Sequence, residues 1–132
     1  MTQPVLDVSI ETLDARRGKV RAVFDFGAHP TIIREDRLPA GATVVRKPIP
    51  ARMRTAAQGG TLDIVGGTIL LITTVGGRTI QDEALVSPNL SQEMLVGAGT
   101  MQKWDILIVN ENGHTRVEVG RDLSDPDVQE VD

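Results

Sequence analysis

The sequence has no cysteine and very few aromatic residues. Its 132 residues include one tryptophan, two phenylalanines and no tyrosine. Without cysteine the chain has no disulfide, no thiolate nucleophile and no cysteine-ligated zinc. These chemistries are excluded, but the absence of cysteine does not by itself decide the cellular compartment.

Long apolar runs and an excess of basic residues are also missing. No stretch approaches the ~20 apolar residues of a membrane-spanning helix, and the first residues lack the pattern of a secretion signal. We therefore expect no membrane partner and a cytoplasmic location. The formal net charge of -4 argues against nucleic acid as a partner, because phosphate binding depends on clustered Lys and Arg. One small basic cluster is interpreted as a solvated strand face: Arg46, Lys47, Arg52 and Arg54.

Val, Ile, Leu and Thr are abundant, and these residues favour pleated, half-buried surfaces. The length is sufficient for one domain with its own core but short for two lobes. No internal repeat or long linker interrupts the chain. We predict a single domain over residues 1–132 with an acidic tail over residues 121–132, read as a terminal strand or a frayed end.

Alternating apolar and polar residues predict strands in much of the chain. Strands over Val5 to Leu13 and Lys19 to Phe24 are separated by a short turn, which predicts an antiparallel pair. Gly76-Gly77 and Asn112-Gly113 have the chemistry of two-residue hairpin turns, and Gly66-Gly67 is predicted to interrupt a strand.

The proline-rich residues 39–50 predict a loop followed by an edge strand. The best candidate for a helix is short, at residues 100–104. We therefore predict an all-β fold, a closed or strongly curved β-barrel with one short helix.

One motif points to a specific chemistry. Val23-Phe24-Asp25-Phe26-Gly27-Ala28, followed three residues later by Thr31-Ile32-Ile33, resembles the active-site motif of retropepsin-like (clan AA) aspartic proteases of the single-lobed, homodimeric type. In that family the motif reads two hydrophobic residues, Asp, Ser or Thr, Gly and Ala. Two further elements lie in the family's order and spacing. Leu95-Val96-Gly97 looks like its supporting strand, and Ala57-Gln58-Gly59-Gly60 lies where the family has its flap.

The resemblance implies a retropepsin-like aspartic endopeptidase. Two carboxylates about 3 Å apart cannot both be ionised, and the shared proton lets one activate a water while the other polarises the scissile carbonyl. This chain supplies one such carboxylate, Asp25, so the resemblance implies a C2 homodimer with a polypeptide substrate. The loop residues Phe26, Gly27 and Ala28 would shape the site. We expect no cofactor and no metal, since His29 and His114 are not accompanied by a carboxylate cluster.

Position 26 departs from the family pattern. The family's Ser or Thr makes a hydrogen bond across the dimer, which Phe26 cannot make. Such a bond is worth on the order of 1 kcal/mol, and overpacking at the two carboxylates would cost roughly 1–3 kcal/mol. We hypothesise that Phe26 weakens activity or dimerisation. The alternative is a non-catalytic retropepsin-like β-domain that serves as a peptide-binding or dimerisation module.

Overall fold

The computed structural model describes residues 3–54 and 62–126, with the side chains of residues 54, 62 and 63 left out. Within these residues the chain forms strands, one short α-helix and one 3₁₀ turn at Glu35–Arg37. No helix in this part of the chain is long and apolar enough to cross a membrane. The elements are β1 (Val5–Thr12), β2 (Arg17–Asp25), β3 (Ile32–Arg34), β4 (Val45–Arg54), β5 (Leu62–Val75), β6 (Arg78–Ser87), β7 (Met94–Gly97), α1 (Ala98–Lys103), β8 (Ile106–Glu111) and β9 (His114–Val119).

Six of the strands close into a barrel. Their order is β1-β2-β7-β3-β6-β5, and β5 returns to pair with β1 from Ser9 opposite Thr74 to Thr12 opposite Leu71. Closure leaves none of these six strands with a free edge along the ring. In the part of the chain that the structure describes, β4 pairs only with β5 and is the predicted edge strand, while β8 and β9 form a separate hairpin. The all-β barrel with one short helix is confirmed.

Alternation along the strands fills the barrel interior. In β1 Val8 and Ile10 are buried and their neighbours Asp7 and Ser9 are exposed, as the two-residue period of a half-buried strand requires. The interior cluster also contains the side chain of Trp104, which follows α1 and is 2% exposed. The buried members of this cluster are Val8, Ile10, Val20, Ala22, Phe24, Ile33, Ile69, Leu71, Val75, Ile80, Ala84, Val86, Met94, Val96, Met101, Trp104 and Ile106.

Both predicted two-residue hairpins are present. Gly76 and Gly77 have φ of 55° and 82°, and Asn112 and Gly113 have φ of 52° and 77°. Positive φ at both central residues is the requirement of a type I′ turn, whose twist matches that of the flanking strands. The residue types at these two turns therefore specify the β5–β6 and β8–β9 hairpins.

The predicted interruption at Gly66-Gly67 is wrong, because β5 runs through both glycines without a break. The irregularity lies in the partner strand, where the register of β4 shifts between Arg46 and Ala51. A Cβ on Gly67 would lie 2.6 Å from the Val45 carbonyl oxygen. The glycine is therefore needed for the close approach of β4 rather than for a turn.

Helix α1 begins two residues earlier and ends one residue earlier than the predicted 100–104. The earlier start is caused by hydrogen bonds to a distant part of the chain. The first backbone N–H groups of a helix have no partner within the helix. Here those of Ala98 and Gly99 donate to the carbonyls of Ala28 and His29, at 2.7 and 2.9 Å.

The described part of the acidic tail, residues 121–126, forms a turn attached to the barrel rather than a strand or a frayed end. The backbone N–H of Leu123 donates to the Thr79 carbonyl at 2.6 Å. The Asp122 carboxylate accepts a hydrogen bond from the Thr79 N–H at 2.6 Å, and further ones from the backbone and hydroxyl of Ser124. Residues 127–132 lie outside the described residues.

These hydrogen bonds predict a pH dependence of stability. The Ser124 hydroxyl, followed by the Thr79 N–H, lowers the pKa of Asp122 from 3.8 to about 2. A lowered native pKa stabilises the fold above pH 3.8, and this contribution is lost as the pH falls towards 2. Asp122→Asn should therefore be less stable than wild type at pH 5, with a difference that shrinks between pH 4 and 2.

Urea unfolding at intervals from pH 2 to 6 measures this difference. Ser124→Ala removes the hydrogen bond that contributes most to the lowered pKa of Asp122, so the loss of stability should move to higher pH. If the free energies of unfolding of wild type and Asp122→Asn differ by the same amount from pH 5 to 2, the prediction is contradicted.

Candidate active site

Asp25 is the last residue of β2, inside the sheet. β2 runs parallel to β7, with Phe24 opposite Val96 and Asp25 opposite Gly97. The Asp25 residue is only 4% exposed. Its Oδ1 accepts a hydrogen bond from the Gly27 N–H at 2.8 Å, so the carboxylate and the following turn hold each other in place.

The second carboxylate oxygen of Asp25 is different. Oδ2 is buried and has no hydrogen-bond partner among the described residues. Leaving a buried acceptor without a partner costs roughly 1–3 kcal/mol, and more if the group is charged. One half of the carboxylate is therefore fixed by the Gly27 N–H, and the other half has no hydrogen bond from any described residue.

The predicted supporting strand, Leu95, Val96 and Gly97, forms most of β7 and lies directly beside Asp25. β7 pairs with β2 on one side and with β3 on the other, where Ile32 is opposite Leu95. The side chains of Leu95 and Val96 are 1% and 2% exposed. The chain segments before and after the Asp25 loop are thus both attached to this one strand.

Gly97 permits a close backbone contact beneath the site. A Cβ at this position would lie 2.2 Å from the Pro30 carbonyl oxygen and 2.4 Å from that of His29. Both atoms belong to the loop that follows Asp25. The same loop accepts the first two N–H groups of α1 at Ala28 and His29, so it is held against the strand and the helix together.

Ala28 connects the loop to the apolar interior. It is 8% exposed and packs in a small buried cluster with Ile32, Leu90 and Leu95. The backbone N–H of Ala28 donates to the Asp25 carbonyl at 3.3 Å. The loop around Asp25 is therefore braced by buried side chains as well as by backbone hydrogen bonds.

A chain of side-chain hydrogen bonds behind the site was not predicted from the sequence. The Gly97 N–H donates to Thr31 Oγ1 at 3.1 Å, and Thr31 Oγ1 lies 2.6 Å from Thr100 Oγ1. The Thr100 hydroxyl donates to Asp82 Oδ2 at 2.7 Å. Because the single proton of the Thr100 hydroxyl is donated to Asp82, the Thr31 hydroxyl must donate to Thr100. The chain joins β7, the active-site loop, α1 and β6.

The only sequence signal for this chain of hydrogen bonds is a polar residue, Thr31, directly before an apolar pair. Both threonines are buried, at 5% exposure each. They are 69 positions apart, so nothing local links them. Their pairing is a consequence of the fold.

Removing the central hydroxyl should destabilise the protein. Thr100→Val keeps the shape but leaves the Thr31 hydroxyl proton without its acceptor and Asp82 Oδ2 without its donor. The hydrogen bond from the Gly97 N–H to Thr31 is kept. We expect a loss of about 1–3 kcal/mol in the free energy of unfolding, measured by urea denaturation. Thr100→Ser is the matched control, because it keeps the hydroxyl and loses only a methyl group. A Thr100→Val protein as stable as wild type would contradict the importance of the chain.

Phe26 lies at the surface of the loop and is 51% exposed. Its ring borders a pocket of about 230 Å³ beside Asp25. Within one chain the ring is therefore not overpacked. The pocket is lined by Gln3, Pro4, Phe24, Asp25, Phe26, Gly27 and Ile108.

The predicted flap residues Ala57, Gln58, Gly59 and Gly60 lie outside the described residues. The strands on either side of them are described. β4 and β5 pair antiparallel up to Arg54 opposite Leu62, so the segment connects two paired strands. Among the described residues, no group of three or more His, Cys, Asp or Glu side chains could hold a metal ion.

The sequence itself matches no family model, and no curated protein is significantly similar to it. Solved structures do match. The retroviral protease-like domain of Ddi1 from Leishmania major is 16% identical with a TM-score of 0.60, covering 93% of this chain and 99% of that domain. EIAV protease, solved with the inhibitor HBY-793, is 16% identical with a TM-score of 0.54, covering 82% of this chain and 93% of that protease. At this identity the likeness concerns the fold. The chain has the retropepsin-like fold, as its Asp25 motif predicted.

Proposed function

We propose that the protein is an aspartic endopeptidase that acts as a homodimer. The observation that carries the proposal is the state of the Asp25 carboxylate. One oxygen is held by the Gly27 N–H, and the other is buried with no hydrogen bond from any described residue. A second Asp25 from a two-fold related copy is the group that would complete such a site.

In this dimer the two Asp25 carboxylates share one proton. The ionised carboxylate takes a proton from a water molecule placed between them, and the water attacks the scissile carbonyl carbon. The protonated carboxyl donates a hydrogen bond to the carbonyl oxygen, where negative charge develops. A proton is then delivered to the leaving amine nitrogen.

The surroundings of Asp25 suit this role. The loop from Phe26 to Pro30 is fixed by β7, α1 and a buried cluster, so the carboxylate needs little reorganisation when a substrate binds. The substrate is an extended polypeptide whose backbone pairs with the segment at Ala57–Gly60, as a strand adds to a sheet edge. That segment would act as a flap and exclude water from the cleft.

The proposal is tested by incubating the protein with a library of unstructured peptides from pH 3 to 8 and identifying new termini by mass spectrometry. The oligomeric state of the same sample is measured by sedimentation. We expect cleavage that depends on protein dimer concentration and on Asp25. Absence of cleavage at every pH by a sample shown to be dimeric would overturn the proposal.

A second candidate function is a non-catalytic module that binds peptides or dimerises. The observation in its favour is Phe26, which replaces the Ser or Thr expected from the family pattern. Under this alternative the wild-type protein binds library peptides without cutting them, and Asp25→Asn leaves that binding unchanged. Cleavage of peptides by the Phe26→Thr variant, with none by the wild-type protein, would show that Phe26 suppresses activity.

A further inference from the structure

We infer that two copies of the chain interlock through Phe26, whose ring enters the pocket beside the partner's active-site loop. This inference rests on the proposed homodimer and names the contact that holds it together. It reverses the expected effect of Phe26, which here strengthens the dimer instead of weakening it.

The exposure of Phe26 sets it apart from the other aromatic residues. The chain has three, and Phe24 and Trp104 are 1% and 2% exposed, whereas Phe26 is 51% exposed. An exposed aromatic ring keeps apolar area in contact with water, which favours burial against a partner. Aromatic residues are enriched at the centres of protein interfaces, and this one is adjacent in sequence to Asp25.

The pocket next to Phe26 is suited to receive a ring. Its walls include Pro4, Phe24, Gly27 and Ile108, which are apolar or lack a side chain. Its volume of about 230 Å³ is several times the ~30 Å³ share of one water molecule. Among the lining residues, only Gln3 and Asp25 have polar side chains.

In a two-fold symmetric dimer, a ring and a pocket on the same surface of the chain can fit the pocket and the ring of the other copy. In an isologous interface, residue i of one copy contacts residue j of the other, and the reverse contact follows. A single docking therefore fills two pockets with two rings. Because Asp25 lines the same pocket, the docking also brings the second Asp25 towards the carboxylate oxygen that no described residue bonds.

The occupant is therefore a second copy of this chain. A substrate side chain would fill one pocket but would leave Asp25 Oδ2 without the second carboxylate that the proposed chemistry requires. The site is incomplete without the partner copy, and the Phe26 contact is the apolar part of the same interface.

The first test is the dimer dissociation constant, measured by analytical ultracentrifugation. Phe26→Ala removes two rings per dimer and should weaken the dimer by on the order of 100-fold or more. Phe26→Leu keeps an apolar side chain and should lose less. Leu13→Ala is the matched control, since Leu13 is 67% exposed in the turn between β1 and β2 and should leave the constant unchanged.

The second test uses mixed dimers. Ile108→Lys places a charged side chain in the wall of the pocket, so its homodimer loses both pockets, just as the Phe26→Ala homodimer loses both rings. A mixture of the two variants keeps, in each heterodimer, one Phe26 ring opposite one pocket that retains Ile108 and lacks only its own Phe26 side chain. We expect the heterodimer to be tighter than either homodimer. If Ile108→Lys fails to fold, Gln3→Trp introduces a larger side chain at another lining residue of the same pocket.

The outcomes separate this inference from the proposed function. A Phe26→Ala protein that dimerises as tightly as wild type, while the wild type still cleaves peptides, overturns the inference and leaves the endopeptidase in place. A change in KM with no change in the dimer constant also overturns it, because the ring then contacts substrate. A wild-type chain that is monomeric at all concentrations overturns the proposed homodimer itself.

Discussion

Asp25→Asn is expected to abolish peptide cleavage, with a loss of about 10⁴-fold or more in kcat, while the protein remains folded and dimeric. The amide oxygen of Asn can still accept the hydrogen bond from the Gly27 N–H, so the turn is kept. The variant cannot act as a base on water or carry the shared proton. Loss of cleavage with an unchanged fold would separate the chemical role of Asp25 from a structural one. The measurement is the single-turnover rate on a fluorogenic peptide chosen from the library.

A mixing experiment makes this prediction specific to a shared site. In an equal mixture of wild type and Asp25→Asn, only about one quarter of the dimers carry Asp25 in both copies. The cleavage rate should therefore fall to about one quarter of that of wild type at the same total protein concentration. Asp7→Asn, at an exposed carboxylate of β1, is the matched control and should leave the rate unchanged. A rate that falls only in proportion to the wild-type fraction would show that each chain works alone.

Gly97→Ala is expected to cause the largest loss of stability. The new methyl group would lie 2.2 Å and 2.4 Å from two carbonyl oxygens of the active-site loop, far inside van der Waals contact. The His29 oxygen accepts the Gly99 N–H of α1, and Pro30 lies between His29 and β3, so this backbone cannot shift without disturbing the contact with α1. We expect a loss of about 3 kcal/mol or more in the free energy of unfolding, and loss of cleavage with it.

Gly66→Ala is the matched control for this prediction. Gly66 lies in β5, and a Cβ there would meet no atom within 4 Å. The free energy of unfolding of the Gly66→Ala variant should differ from that of wild type by about 0.5 kcal/mol or less in the same urea titration. Equal stability losses in the two variants would contradict the steric explanation and would point to a general intolerance of glycine replacement.

The strands and tight turns were predictable because their causes are local. Alternation in β1 places Val8 and Ile10 inside, whatever the strand pairs with. Gly76-Gly77 and Asn112-Gly113 adopt the positive φ that two-residue hairpins require, and few other residue pairs do so at low cost. The Asp25 motif was likewise visible, because its residues are consecutive in the chain.

The errors came from contacts between distant segments. Gly66-Gly67 resembled a strand break, but the glycine at 67 is explained by the approach of Val45 from β4. Helix α1 begins at Ala98 because carbonyls near residue 28 accept its first N–H groups. The links between Thr31, Thr100 and Asp82 join three separate elements, so no sequence window contains them.

The sequence by itself determined the class of fold, the hairpins and the identity of the candidate catalytic residue, because alternation, turn chemistry and a contiguous motif depend only on near neighbours. Only the tertiary structure decided how Asp25 is presented. Burial beside β7 and a bond from Gly27 hold one oxygen of its carboxylate, and no described residue bonds the other. It also placed an exposed Phe26 beside a pocket. These features arise where β2, β7, β8 and the residues before β1 meet, and that meeting is set by the packing of the β8–β9 hairpin against the barrel core rather than by any one segment.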